Sequence, residues 1–114
     1  MSKAQEEFAQ AAAKLIQQAV TMGYTVTLGE AWRTPQQAQW NAQHGTGIAH
    51  SLHTDRVAID LDFFKDGVWV TDGSKLEDIG AWWEAQGVNY AWGGRFKHLP
   101  DGNHFSISPD GVIK

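Results

Sequence analysis

The sequence predicts an α+β fold, a small and mainly antiparallel sheet with helices packed against it, in a single domain spanning residues 1–114. Three features carry that expectation. Apolar residues recur at helical spacing in well-delimited stretches. The strand-like segments are short, rich in β-branched and aromatic residues, and mostly separated by tight-turn signals. Helices and strands are mixed without the regular alternation that a parallel sheet needs. No internal repeat, low-complexity segment or linker divides the chain.

Ser2–Met22 reads as an amphipathic helix: Phe8, Ala12, Leu15, Ala19 and Met22 recur at helical spacing, while Gln, Glu and Lys fill the other face. Gly23 suits the position just past its C-terminus. Tyr24–Leu28 alternates and is β-branched, as a strand does, and Gly29–Arg33 follows as its end or a loop. Thr34-Pro35-Gln36-Gln37 is a helix start, with Thr as N-cap, Pro first and Gln in the capping-box place; the helix should run to about Gln43 or His44. Gly45–Ile48 is a loop. Val57–Phe64 is the second and most buried strand, Lys65-Asp66-Gly67 a turn, and Val68–Val70 a short antiparallel return. Ser74–Glu77 is another capping box, opening a helix with Leu76, Ile79, Trp82 and Trp83 on its apolar side and Gly87 closing it. Val88–Trp92 is a short extended segment broken by Gly93 and Gly94. Pro100–Asn103 is a strong turn signal, His104–Ser108 the final strand, and Pro109-Asp110-Gly111 a turn.

The net charge of −4 argues against a nucleic-acid partner, which needs a basic face. The chain has no cysteine, so disulfides and Cys-ligated zinc are excluded and any metal must be held by His, Asp and Glu. No apolar span is long enough to insert in a membrane. The N-terminus lacks a basic start followed by an apolar core, so no secretory signal is expected and the protein is expected to be made in a cytoplasm. The six tryptophans belong either to the core or to a groove.

The stretch Ser51–Asp62 holds the chemistry. His53 precedes an apolar run interrupted by Asp60 and Asp62. Burying a lone carboxylate costs several kcal/mol, on the order given by transfer measurements, unless it is paired, protonated or metal-bound. Side chains alternate across a strand, so Asp60 and Asp62 share a face opposite Ile59, Leu61 and Phe63. In the last strand His104, Ser106 and Ser108 lie opposite Phe105 and Ile107. If the two strands pair, Asp60 and His104 can be neighbours, and His53 needs only a loop that folds back. Three ligands drawn from His and Asp, with a fourth position left to water, are the pattern of a catalytic zinc site. Such a site needs a general base, and Asp101 is close to His104 across a Gly-Asn turn. Arg33 could stabilise an oxyanion or clamp a substrate carboxylate. Each residue also has a plainer reading. Asp60 could pair with Arg33 or Arg56, and Asp101 could serve turn geometry alone. His44 could end a helix, and His50 and His98 could be solvated.

Taken together, Ser51-Leu52-His53, Ala58-Ile59-Asp60 and the downstream Asp101-Gly102-Asn103-His104 resemble the zinc peptidases that cut peptidoglycan stem peptides. These are the D-alanyl-D-alanine carboxypeptidases and the phage L-alanyl-D-glutamate endopeptidases. The likeness runs from about Gly29 to Ile107. It implies one zinc per chain held by His53, Asp60 and His104, with Asp101 as base and Arg33 steadying the transition state. Ser51, Arg56 and Trp92 are then expected on the substrate side. Arg56 stands where the family has glycine, and Asp101 where the carboxypeptidase branch commonly has Glu; with Trp92-Gly93-Gly94 ahead of it, the shorter acid favours the endopeptidase branch.

The expectation is therefore a monomeric zinc metallopeptidase of the phage endolysin type, whose substrate is the peptidoglycan stem peptide. It would be made without a signal peptide in the host cytoplasm and act at the cell wall after release. The alternatives are a D-Ala-D-Ala carboxypeptidase or dipeptidase, a non-catalytic wall-binding module whose tryptophans stack on sugars, and a domain in which zinc is only structural, with Asp62 or His50 as fourth ligand.

Overall fold

The computed structural model describes residues 3–31, 34, 36–37, 40, 57–96 and 100–108. The elements whose full range is described are the helices α1 (Lys3–Thr21) and α2 (Glu77–Glu84) and the strands β1 (Thr25–Leu28), β2 (Ala58–Lys65), β3 (Val68–Trp69), β4 (Tyr90–Trp92) and β5 (His104–Ile107). Among the described residues every strand pairing is antiparallel, in the order β1-β2-β5-β4 with β3 also on β2. β2 is the centre: β1 runs along one edge, and β5 and β3 share the other at opposite ends. This is the α+β architecture expected.

α1 buries Phe8, Ala11, Ala12, Leu15 and Ala19. It ends where a helix with glycine just beyond it should. Gly23 has φ +94°, and the Tyr24 and Gly23 amides reach back to the Ala19 and Val20 carbonyls at 3.0 Å. β1 lies at the sheet edge and is largely exposed, Leu28 to 69%. Asp66 and Gly67, both with positive φ, make the two-residue turn that joins β2 to β3 with the twist a hairpin needs.

The helices cover the sheet face that carries Ile59, Leu61, Phe63, Phe105 and Ile107. Edge-on ring contacts link Phe8, Trp83, Phe105, Phe63 and Tyr24 in series, centroids 5.4–6.2 Å apart. Each fully buried ring or branched chain contributes roughly 1.5–3 kcal/mol, so this layer supplies most of the stability. Polar atoms on this side find partners within the fold. Trp83 Nε1 donates to the Ala91 and Ser106 carbonyls, both at 3.1 Å. Tyr24 Oη donates to Asp78 Oδ1 at 2.8 Å. Burial, aided by that acceptor, pushes the Tyr24 hydroxyl up to about 12.

The segment before α2 differs from expectation. Ser74 is not a helix cap: Asp72 Oδ1 takes both its amide (3.0 Å) and its hydroxyl (2.7 Å), holding the Asp72 carboxyl below its ordinary range. A 3-10 turn over Gly73–Leu76 follows, and α2 begins only at Glu77. The carboxylate two residues upstream outcompetes the hydroxyl for the cap. The capping of Thr34 does occur, its Oγ1 accepting from the Gln37 amide at 3.0 Å; the expected end of that helix lies outside the described residues.

Candidate active site

Asp60 of β2 and His104 of β5 are direct cross-strand partners. The Leu61 amide bonds the Asn103 carbonyl, and the Ile107 amide bonds that of Val57. The ladder bonds therefore fall on odd-numbered residues of β2, and Asp60–His104 is a non-hydrogen-bonded pair, the kind whose side chains approach most closely. His104 Nδ1 lies 3.4 Å from Asp60 Oδ1. Both groups are largely removed from solvent, His104 to 5% exposure, and the Phe96 ring packs beside the imidazole at 5.4 Å.

The backbone around them is specialised. On the far edge of Asp60 its carbonyl accepts from the Gly29 amide and its amide donates to the Glu30 carbonyl, each at 2.8 Å. Two residues facing one make a β-bulge, which bends the Gly29–Glu30 segment opposite Asp60. Asp101 belongs to the turn that feeds β5: its carbonyl accepts from the His104 amide (3.1 Å), and its amide donates to the Gly93 carbonyl (2.9 Å). A Cβ on Gly93 would run into the Asp101 carbonyl, and one on Gly102 into Gly73 Cα, so glycine at both places lets three loops close on this turn. The result brings one donor atom each from Asp60, Asp101 and His104 within 4.8 Å of one another.

Two carboxylates and an imidazole are a donor set for zinc or a similar divalent ion. Ligands at zinc–nitrogen and zinc–oxygen distances in a tetrahedron stand about 3.3 Å apart. The 3.4 Å between His104 Nδ1 and Asp60 Oδ1 matches that spacing and is longer than a good hydrogen bond. The residues present therefore fit the metal. Asp62, weighed as a further ligand, is not in this cluster among the described residues.

A groove of about 710 Å³ opens beside the cluster and meets it at Asp101. Its walls include Trp69, Asp62, Asp72, Glu77 and Asn103 and carry no cationic side chain among the described residues. Trp92, expected on the substrate side, is 2% exposed. Its ring packs on Gly80 of α2, where a Cβ would strike the indole, and the Arg95 guanidinium lies over it at 5.0 Å. Its Nε1 donates to the Gly102 carbonyl at 2.7 Å. Its register opposite Phe105 places it on the helix side of the sheet, and it also lines the groove.

His53, Arg33, Ser51 and Arg56 lie outside the described residues, as do His44, His50 and His98. Of the expected site, the structure brings together Asp60, His104 and Asp101. The sequence reading missed Phe96 and the bulge at Gly29–Glu30. Only the glycine of the bulge hinted at it.

A family model described as D-alanyl-D-alanine carboxypeptidase matches residues 37–107. Comparison with curated proteins gave no match. Among solved structures, the Serratia marcescens L-Ala D-Glu endopeptidase ChiX superposes with a TM-score of 0.68 over 95% of this chain and 89% of that one, at 20% identity, a likeness of fold.

Proposed function

The chain belongs to the D-alanyl-D-alanine carboxypeptidase family of peptidoglycan peptidases, and from that premise we propose that it is a zinc-dependent endopeptidase cutting the L-alanyl-D-glutamate bond of the stem peptide. The observation that carries the reading is the Asp60–His104 pair at 3.4 Å with Asp101 beside it. Asp60 and His104, with His53, would hold the metal. A bound zinc supplies Lewis-acid polarisation and lowers the pKa of water. Asp101 takes the proton from the attacking water and later passes it to the leaving amine. Arg33, by the sequence likeness, would stabilise the developing oxyanion. The groove that meets Asp101 receives the peptide, with Trp69 as one wall. The Asp at position 101 and the Trp92-Gly93-Gly94 segment favour the endopeptidase branch, and the phage-type role rests on the same sequence likeness.

The test is an assay of purified protein on isolated peptidoglycan with zinc, with chelator, and as His104→Ala. Hydrolysis is expected only in the first. Activity surviving both treatments removes the zinc mechanism. The description of the matching family model favours a second reading, release of terminal D-Ala. Mass spectrometry of the fragments separates the two, since one product is free D-Ala and the other a new L-Ala carboxyl end on the glycan.

A further inference from the structure

The groups that fix the Asp101 turn come from outside the turn itself. The Asp101 amide is held by the Gly93 carbonyl at 2.9 Å, and the Gly102 carbonyl by the Trp92 indole N–H at 2.7 Å. Trp92 is in turn fixed from two sides, by Gly80 of α2 and by Arg95. Arg95 is itself tied to α2, its guanidinium pairing with Glu77 and Glu84. An unbroken series of contacts therefore runs from α2 through the indole to the Gly102–Asn103 peptide, one residue past Asp101. We propose that Trp92 is a positioning residue for Asp101: its indole N–H sets the height and tilt of the turn and so the reach of the carboxylate. The proposal rests on the reading of Asp101 as base. A base must sit within hydrogen-bond reach of the proton it takes, and displacement by about 1 Å can cost 10²-fold in rate.

The molecule contains its own control. Trp83 is also a fully buried indole donating to backbone carbonyls, but those belong to Ala91 and Ser106 and not to the Asp101 turn. Trp92→Phe and Trp83→Phe each keep a ring and delete an N–H. They are to be compared with Asp101→Asn and Asp101→Asn/Trp92→Phe for zinc content, melting temperature and steady-state hydrolysis of a soluble stem peptide. Trp92→Phe should lower kcat about tenfold with KM within about twofold and zinc content unchanged. Trp83→Phe should lower the melting temperature at least as much yet leave kcat alone. Adding Trp92→Phe to Asp101→Asn should cost nothing more, because the residue being aimed is already disabled. The proposal is overturned by wild-type kcat in Trp92→Phe, by an equal kcat loss in Trp83→Phe, or by the full Trp92→Phe loss recurring in the Asp101→Asn background. If Asp101→Asn is itself fully active, the base reading fails first and this one with it; an inactive Asp101→Asn beside an unimpaired Trp92→Phe sinks the positioning role alone.

Discussion

The two faces of β2 and β5 are built from the same strands and obey different rules. One face carries Ile59, Leu61, Phe63, Phe105 and Ile107 under two helices. The other carries Ala58, Asp60, His104, Ser106 and Ser108, and in β5 it is buried just as completely. On the helix side the polar atoms of Tyr24, Trp83 and Trp92 each reach a partner in the fold. On the opposite side the buried Ser106 Oγ meets no hydrogen-bond partner among the described residues. Burying polar groups this way is unfavourable for stability. The first face supplies most of the apolar burial, and the second carries the proposed site.

Adjacent residues of β5 separate the two most sharply. His104→Ala should reduce hydrolysis to the uncatalysed background and remove bound zinc, read by metal analysis and wall turbidity, while the protein stays folded. Phe105→Ala, one residue on and facing the other way, should cost about 3–5 kcal/mol of unfolding free energy in denaturant melts. Its folded fraction should keep wild-type kcat. If both variants lose both properties, the faces are not independent. Gly93→Ala is the way to blur the distinction. Its new Cβ meets both the Asp101 carbonyl and His104 Cβ, so kcat should fall on the order of 10²-fold while core packing survives. The smallest effect belongs to Tyr24→Phe, about 1 kcal/mol, since Asp78 Oδ1 keeps the Ile79 amide as a donor. Its pH dependence has a definite sign. The folded-state value is raised to about 12 from 10.0, by burial first and then by Asp78. The stability gap between wild type and Tyr24→Phe should be constant below pH 10 and shrink as pH rises through about 12. Melts of both proteins across that range check it.

Much of this division could be read from the chain. Alternation alone sorts Asp60 from Leu61 and His104 from Phe105, and the Asp66-Gly67 turn and the end of α1 follow from local chemistry. The pairing of Asp60 with His104 was conditional on β2 and β5 being neighbours, and they are. What alternation does not contain is what lies above each face. β1 alternates well and is nonetheless mostly exposed, whereas the polar side of β5 is covered. Competition is equally invisible: Ser74 and Asp72 are both plausible caps, and only geometry shows that the carboxylate takes the hydroxyl as well as the amide. Trp92 combines the two uses an aromatic beside a site can have: its register with Phe105 puts it on the helix side of the sheet, and it still lines the groove.

Where Gly73 meets Gly102, two main chains touch with no side chain between them. Side chains absorb a neighbour's displacement by rotating; bare peptide has no such slack. A slide of the segment leading into α2 therefore meets the Asp101 loop with no side chain to absorb it. On the reading of Asp101 as base, that stretch of backbone bears on where the acid sits.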